Sequence, residues 1–349
     1  MLAEPVDLLG IGIGPFNLSL AAMADQVPGL RTAFFERQAE FRWHPGMMIE
    51  GTMLQVPFLA DLVSLVDPTS RWSFLSYLRA SDRLFPFYFA ERFHLHRAEY
   101  EAYCRWVSRN LPQCLFGRKV ESVTWDDDRQ AFAVGYTCPD RPGRATTSRC
   151  FARNIVLGIG TEPQVPKALA GLLADDRVLA LHSADYLSYR DQLAARPHLT
   201  VIGSGQSGAE IFLDQLKARP QGHEGLAWVS RSAAFAPMEY SKLGLEHFTP
   251  NYTQFFHGLP EEMRDELLPR QWQLYKAISA ETIDDIHGEL CRRAMSGDWP
   301  AAVLRPATEV RAAAVVDDRI ELQLEHRQQR VTLTLATDAV VLATAYAER

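Results

Sequence analysis

Residues 199–208 read Leu199-Thr-Val-Ile-Gly-Ser-Gly-Gln-Ser-Gly208, an apolar run that ends in the spacing Gly-x-Gly-x-x-Gly. A helical pattern follows over residues 207–218. In a strand, turn and helix of this kind, the first two glycines allow a tight turn and a close approach of the backbone to a pyrophosphate. The third glycine allows the helix to pack closely on the strand. The stretch therefore predicts a dinucleotide-binding βαβ unit.

A related pattern lies near the start of the chain. The apolar residues 6–11 lead into Gly12-Ile-Gly14-Pro15-Phe-Asn17, where asparagine replaces the usual third glycine. Glu36 ends the next predicted strand, at the position where an acid can bind a ribose hydroxyl. An ordinary glycine turn is the alternative for each motif alone. Two such units in one chain favour two nucleotide sites.

The two predicted sites differ in charge. Arg231 ends the strand of the second unit, where an NAD site would carry an acid, and a cation there suits the 2′-phosphate of NADPH. A plain surface arginine is the alternative. The pattern predicts FAD at the first site and NADPH at the second.

The order of the predicted elements gives the domain organisation. We expect an α/β fold with two Rossmann-like domains and helical excursions that form a substrate pocket. The FAD-binding domain is predicted to comprise residues 1–165 plus 300–349, and the NADPH-binding domain residues 195–299, with its excursion at 233–299. Within these, residues 154–157 are predicted to return to the first sheet.

Composition restricts the class of protein. A chain of 349 residues with 47% hydrophobic content can bury a large core, and a formal net charge of −7 gives no reason to expect nucleic acid as a partner. Five widely spaced cysteines fit neither a disulfide framework nor a zinc site, so no metal is predicted. No apolar run reaches the roughly 18 residues of a membrane span. We expect a cytoplasmic protein with small-molecule partners and no membrane association, and a homo-oligomer is left open.

Five longer motifs point to one family. They are Gly10-Ile-Gly-Ile-Gly-Pro-Phe-Asn17, Trp43-His-Pro-Gly-Met47, Leu54-Gln-Val-Pro-Phe-Leu-Ala-Asp-Leu62, Val201-Ile-Gly-Ser-Gly-Gln-Ser-Gly-Ala-Glu210 and Phe248-Thr-Pro250. The chain resembles, from residue 6 to residue 346, the microbial N-hydroxylating flavoprotein monooxygenases. Members of that family act on lysine, ornithine or diamines in hydroxamate siderophore assembly. A disulfide reductase of similar plan would need a Cys-x-x-Cys pair, which the sequence lacks.

The resemblance implies roles for individual residues. FAD contacts are implied for Gly12, Gly14, Pro15, Asn17, Glu36, Trp43, His44, Gln55 and Val120. NADPH contacts are implied for Gly203, Gly205, Gln206, Ser207, Gly208 and Arg231. Without the resemblance, Trp43 would be taken for a core aromatic residue and His44 for a hydrogen-bonded histidine.

The resemblance also implies the reaction. Hydride passes from NADPH to FAD, the reduced flavin reacts with O₂ to form a hydroperoxide, and a neutral primary amine attacks the distal oxygen. No side chain is therefore predicted to be catalytic.

Two positions bear on the substrate. Ornithine-hydroxylating members carry a lysine and an asparagine where this chain has Met53 and Leu245, which implies a substrate without a carboxylate, such as cadaverine or putrescine. Glu239 and Glu246 are candidates to meet the far ammonium group, or they are surface residues. L-lysine is the alternative substrate, because lysine-specific members also lack that pair and Lys242 could bind a carboxylate.

The end of the sequence departs from the family pattern. Members usually carry Ala-Thr-Gly-Tyr and continue for several dozen residues, whereas here Ala343-Thr-Ala-Tyr346 is followed by three residues. We expect from this that the C-terminal part of the family fold is missing. A truncated, non-hydroxylating nucleotide-binding remnant is the second functional hypothesis.

Overall fold

The structure is a computed structural model that describes residues 4–141, 144–295 and 297–348. Contacts divide the chain into two compact units. The first contains the described residues up to His44, together with Glu50–Glu162 and Glu348. The second contains Pro45–Ile49 and Pro163–Ala347. None of the helices within the described ranges is long and apolar enough to cross a lipid bilayer.

The first unit is built on a six-stranded sheet of order β5-β2-β1-β8-β7-β6. The strands of the unit are β1 (Val6–Ile11), β2 (Thr32–Glu36), β3 (Met53–Pro57), β4 (His94–His96), β5 (Cys114–Phe116), β6 (Lys119–Asp126), β7 (Ala131–Arg141) and β8 (Arg144–Leu157). Its helices are α1 (Pro15–Ala24), α2 (Phe74–Ala80), α3 (Leu84–Phe89) and α4 (Arg97–Asn110). Strand β1 runs parallel to both β2 and β8, which confirms the predicted return of residues 154–157 to the first sheet.

Both faces of this sheet are covered, as the apolar β1 and β2 require. On the face of α1 and α4, the core contains Leu18, Phe34 and Tyr103. On the other face, Phe35 packs with residues of β7 and β8, including Val134. The turn between β1 and α1 follows the carboxyl end of β1. Because β1, β2 and β8 are parallel, this turn lies at the carboxyl edge of these strands.

The second unit has a parallel five-stranded sheet of order β10-β17-β11-β12-β13 and an antiparallel sheet of order β14-β15-β16. Its strands, with the connecting β9 (Thr161–Pro163), are β10 (Leu179–His182), β11 (Leu199–Ile202), β12 (Leu226–Val229), β13 (Ala302–Arg305), β14 (Thr308–Val316), β15 (Arg319–His326), β16 (Val331–Thr337), β17 (Ala339–Leu342) and β18 (Tyr346–Glu348). Its helices are α5 (Ala170–Leu173), α6 (Tyr186–Ala194), α7 (Gln206–Ala218), α8 (Pro250–His257), α9 (Glu261–Arg270) and α10 (Ala280–Ala294).

The predicted assignment of residues 300–349 to the first domain is wrong for residues 300–347. Strand β13 pairs with β12, and β17 pairs with β10 and β11, so both lie in the sheet of the second unit. All four residues of β17 are buried, with Val341 in the core on one face and Val340 in the core on the other. A short, wholly apolar strand fits the centre of either sheet, and its sequence does not say which.

The segment Pro45–Ile49 belongs to the second unit although it precedes most of the first. Met47 and Ile49 are buried in a core that also contains Leu199 and Phe212. Gly46 lies directly against the backbone, since a Cβ there would stand 1.7 Å from the carbonyl oxygen of Ala184. The motif that begins at Trp43 is therefore divided between the two units.

Candidate functional site

The first glycine turn joins β1 to α1. Gly12 has a φ of +89°, and a Cβ there would lie 2.2 Å from the carbonyl oxygen of Gly158, so the position admits only glycine. Gly14 is the N-cap of α1, and a Cβ at this position would meet no atom within 4 Å. Pro15 opens the helix, where a missing N–H has no cost. Open space thus lies before a helix N-terminus, which favours an anion.

Asn17 ties this turn to the helix. The residue is 3% exposed, and its Nδ2 donates to the carbonyl oxygens of Gly12 at 2.8 Å and of Ile11 at 3.3 Å. Room for the amide comes from Gly158, where a Cβ would stand 2.4 Å from Nδ2. Asparagine therefore takes the place of the third glycine by holding the turn with hydrogen bonds.

Glu36 lies at the end of β2 with its carboxylate at the turn. Its Oε2 accepts the N–H of Ile13 at 2.9 Å, and its Oε1 accepts the N–H of Gln38 at 2.9 Å. The acid predicted from the sequence is thus oriented by backbone donors.

Trp43 and His44 form part of an aromatic group with Tyr100. The N–H of Trp43 donates to Oε1 of Glu101 at 3.0 Å, and the indole meets the Tyr100 ring edge-on at 5.2 Å. His44 has a left-handed φ of 47° and lies 5.1 Å from the Trp43 ring. Although part of His44 stays open to solvent, burial of the ring and then the charge of Arg97 lower its pKa. No sequence pattern indicated the hydrogen bond to Glu101.

The other residues predicted for the first site are spread over the first unit. Gln55 and Met53 lie half-buried on β3. Val120 lies on β6, opposite Tyr136, and packs against the core of that face.

The second glycine turn joins β11 to α7 and closely resembles the first. Gly203 has a φ of +128°, and a Cβ there would lie 2.0 Å from the carbonyl oxygen of Ala343. Gly205 is the N-cap, again with open space where a Cβ would be. At Gly208 a Cβ would stand 2.4 Å from the carbonyl oxygen of Gly203, which also accepts Nε1 of the buried Trp228 at 2.7 Å. Gly203 and Gly208 are therefore sterically required, and Gly205 leaves open space before the helix.

The side chain of Gln206 forms hydrogen bonds to other residues of the protein. Its Nε2 donates to Oε1 of Glu210 at 2.8 Å and meets Oγ1 of Thr282 at 3.0 Å, while its Oε1 accepts the N–H of Ser279 at 2.8 Å. These bonds join α7 to the start of α10. Any contact of Gln206 with a nucleotide would therefore involve its backbone. Ser207 follows it, half-buried, in the first turn of α7.

Arg231 is exposed just beyond the end of β12. Within residues 4–141, 144–295 and 297–348 it has no carboxylate within 4 Å. It lines a cavity of about 640 Å³ together with Trp272, Arg327 and Gln328. Arg327 and Gln328 were not expected here, because residues 300–349 were assigned to the other domain. Trp272 lies in the predicted excursion at 233–299, but no motif marks it.

Two serines connect this cavity to the glycine turn. Oγ of Ser204, inside the turn, lies 2.9 Å from Oγ of Ser232, next to Arg231. The N–H of Ser232 donates to Oγ of Ser230 at 3.1 Å. The turn and the loop after β12 are therefore fixed to each other, although the sequence singled out neither Ser204 nor Ser232.

A second cavity, of about 510 Å³, lies in the first unit between Glu4, Asp25 and Arg31. It is at the amino-terminal ends of β1 and β2. Ligands of parallel α/β sheets bind at the carboxyl ends of the strands, so this cavity lies at the wrong edge for a nucleotide.

The predicted substrate residues fall in both units. Leu245 and Glu246 lie in a turn before α8, with Leu245 37% exposed. Glu239, in the same loop, accepts the N–H of Ser241 at 2.8 Å, and hydrogen bonding to the Ser241 hydroxyl and then to this N–H holds its pKa below the ordinary value. Glu246 pairs with no cation within 4 Å in the part of the chain that the structure describes, so its carboxylate is the less engaged of the two.

A comparison with protein families covers almost the whole chain. A family model described as L-lysine 6-monooxygenase/L-ornithine 5-monooxygenase matches residues 4–348. The chain belongs to this family.

Relatives within the L-lysine 6-monooxygenase/L-ornithine 5-monooxygenase family include enzymes of known name. A putrescine N-hydroxylase of Shewanella oneidensis is 43% identical over 97% of this chain and 67% of its own length. The FAD-bound cadaverine monooxygenase of the desferrioxamine pathway from Erwinia amylovora has a TM-score of 0.92 at 36% identity, covering 99% of this chain and 79% of that one. An ornithine N-hydroxylase of Kutzneria sp. 744, solved with reduced FAD, NADP⁺ and L-ornithine, has a TM-score of 0.88 at 25% identity, covering 98% of this chain and 81% of that one.

Proposed function

We propose that this protein uses FAD and NADPH to hydroxylate the terminal primary amine of a diamine, cadaverine or putrescine, in hydroxamate siderophore assembly. The observation that carries the proposal is that each unit contains a strand, a glycine turn and a helix. Glu36 lies beside the turn of the first unit, and Arg231 lies beyond the end of β12 in the second unit. An acid suits a ribose hydroxyl and a cation suits a 2′-phosphate. The first unit is accordingly assigned to FAD and the second to NADPH.

The residues present fit both cofactors. At Gly14 and at Gly205, open space takes the place of a side chain before a helix N-terminus, as a pyrophosphate requires. Gly12, Asn17 and Glu36 would hold the first cofactor, and Gly203 and Arg231 the second. FAD, when bound, accepts hydride and supplies the oxygen chemistry.

The protein must favour the neutral form of the amine. An amine with a pKa of about 10.4 is neutral in only about one molecule per thousand near pH 7.5, which corresponds to roughly 4 kcal/mol. Apolar surroundings disfavour the ammonium form by desolvation. Met53, half-buried on β3, would contribute such surroundings, and excluding water also protects the oxygen chemistry.

A diamine substrate is supported by the absence of a polar side chain at position 53 and at position 245, which carry Met53 and Leu245. A carboxylate buried beside Met53 or Leu245 without a cation or donors would cost several kcal/mol. The Shewanella relative is named for putrescine and the Erwinia structure for cadaverine. Of the two candidate carboxylates, we assign Glu246 to the far ammonium, because Glu239 already accepts the N–H of Ser241.

Purified protein supplied with FAD and NADPH should be assayed with cadaverine, putrescine, L-lysine and L-ornithine. The readouts are hydroxylamine product and hydrogen peroxide, and the expected result is a higher kcat/KM for a diamine. A clear preference for L-lysine would replace the diamine assignment with the alternative substrate. Flavin binding without hydroxylamine from any amine would favour the non-hydroxylating remnant.

The variant Met53→Lys tests the substrate position directly. It should move the preference toward the amino acids, because the new ammonium can pair with a carboxylate. Met295→Lys is the matched control. Met295 is 83% exposed, so this variant adds the same charge at the protein surface. Equal effects of the two variants would remove Met53 from the substrate site.

A further inference from the structure

Two arginines and one tryptophan share the cavity beyond the end of β12. Arg231 lies two residues after the end of that strand, Trp272 lies between α9 and α10, and Arg327 begins the turn between β15 and β16. They are distant in sequence, and a simple βαβ unit contains nothing that corresponds to the antiparallel β14-β15-β16 sheet. The cavity is therefore built by an addition to the nucleotide-binding fold.

Backbone hydrogen bonds fix the segments that carry these side chains. The N–H of Ala307 donates to the carbonyl oxygen of Ser232 at 2.7 Å, and the N–H of Arg327 donates to the carbonyl oxygen of Ala307 at 2.7 Å. The N–H of Thr308 donates to the carbonyl oxygen of Ser230 at 2.7 Å. The loop after β12 and the β15–β16 turn are thus held by the same short segment. Arg231 and Arg327 face the cavity from a prearranged frame.

The charges in the cavity are incompletely balanced. Among the residues that the structure describes, Glu309 is the acid that pairs with Arg327, but its Oε2 lies 3.8 Å from Nε of Arg327 and 3.0 Å from Nη1 of Arg311. Arg311 therefore makes the closer pair with Glu309, and most donors of Arg327 stay available to a ligand. Two guanidinium groups around one cavity match a phosphate dianion, which accepts several charge-assisted hydrogen bonds.

We propose that Arg327 shares the 2′-phosphate of NADPH with Arg231 and that Trp272 forms the aromatic wall beside the adenine. This assignment rests on the proposed use of NADPH and adds two specificity-determining residues to it. Arg327 acts on the phosphate that distinguishes NADPH from NADH. Trp272 acts on the adenosine that both cofactors contain, by stacking.

Calorimetric titrations of the FAD-loaded protein with 2′,5′-ADP and 5′-AMP separate the two roles without turnover. Arg327→Ala should weaken 2′,5′-ADP about 10- to 100-fold and leave 5′-AMP within about twofold. Trp272→Ala should weaken both nucleotides by a similar factor, and Trp272→Phe should restore most of the loss. Arg327→Lys should recover part of the 2′,5′-ADP affinity.

Arg330→Ala is the matched control, because it removes the same charge from the same turn at a position that does not line the cavity. Unchanged binding of 2′,5′-ADP to Arg327→Ala would overturn the assignment of Arg327, as would an equal loss for both nucleotides. Unchanged 5′-AMP binding in Trp272→Ala would overturn the assignment of Trp272. If the wild type reduces its flavin equally well with NADH and NADPH, the proposed cofactor preference itself is wrong, an outcome distinct from the others.

Discussion

Replacing Gly158 by alanine should destabilise the first unit through a single neighbour. The new Cβ would stand 2.4 Å from Nδ2, 2.6 Å from Cγ and 3.0 Å from Oδ1, all atoms of Asn17. The buried amide would have to turn away and leave its hydrogen bonds to Gly12 and Ile11. The cost should therefore equal the loss of those bonds in a buried place, about 1–3 kcal/mol.

A double-mutant cycle measures this dependence. Asn17→Ala loses the same hydrogen bonds and should cost about 1–3 kcal/mol, but it also removes the atoms with which the new Cβ would collide. The double variant should then be no less stable than Asn17→Ala alone, so the coupling energy is about 1–3 kcal/mol.

Urea and thermal unfolding followed by circular dichroism give the free energies for this cycle. Gly288→Ala is the control, because Gly288 is an exposed position inside α10 with no atom within 4 Å of a Cβ. It should stabilise the protein by about 0.5–1 kcal/mol. Additive losses in the double variant, or a neutral Gly158→Ala, would refute the role given to Asn17.

Three further predictions concern the second unit. Arg231→Ala should reduce the preference for NADPH over NADH, measured as the ratio of kcat/KM values, by about 10- to 150-fold, or ~1.5–3 kcal/mol; a wild type without preference contradicts it. Ala345 has a left-handed φ of 69°, so Ala345→Gly should raise the free energy of unfolding by about 0.5–1 kcal/mol, whereas an unchanged midpoint would show that the backbone there carries no strain. His182 accepts the N–H of Ala184, and burial lowers its pKa below 6.5, so the unfolded chain takes up the proton first. The free energy of unfolding should decline as the pH falls below about 6.5. When this free energy is measured against pH, His182→Gln should show a smaller decline over the same range.

The elements around each turn could be predicted because their signals are local. The apolar runs before Gly12 and Gly203 specify strands, and the glycine spacing specifies the turns. The helical pattern at 207–218 lies within the observed Gln206–Ala218. Such features depend on residues a few positions apart, which a single sequence displays.

Features that depend on distant pairing were missed or misplaced. Strand β17 could join either sheet, because four buried apolar residues carry no mark of their partners. The N–H of Arg327 donates to the carbonyl oxygen of Ala307, which holds its turn beside the cavity. The role of Asn17 depends on the missing side chain of Gly158, far along the chain. Each pairing joins segments that are far apart in the chain, so the sequence pattern of one segment could not have indicated it.

The segment Pro45–Ile49, which precedes most of the first unit in the sequence, restricts which chimeras between relatives can fold. A polypeptide of residues 163–347 alone would lack Met47 and Ile49, which fill the core beside Leu199 and Phe212. Losing a large buried apolar side chain costs about 2–5 kcal/mol. A chimera that takes this half from another protein must therefore also take the matching five residues from near its start. Recombination at a single crossover between the halves would separate two side chains from the core that they complete.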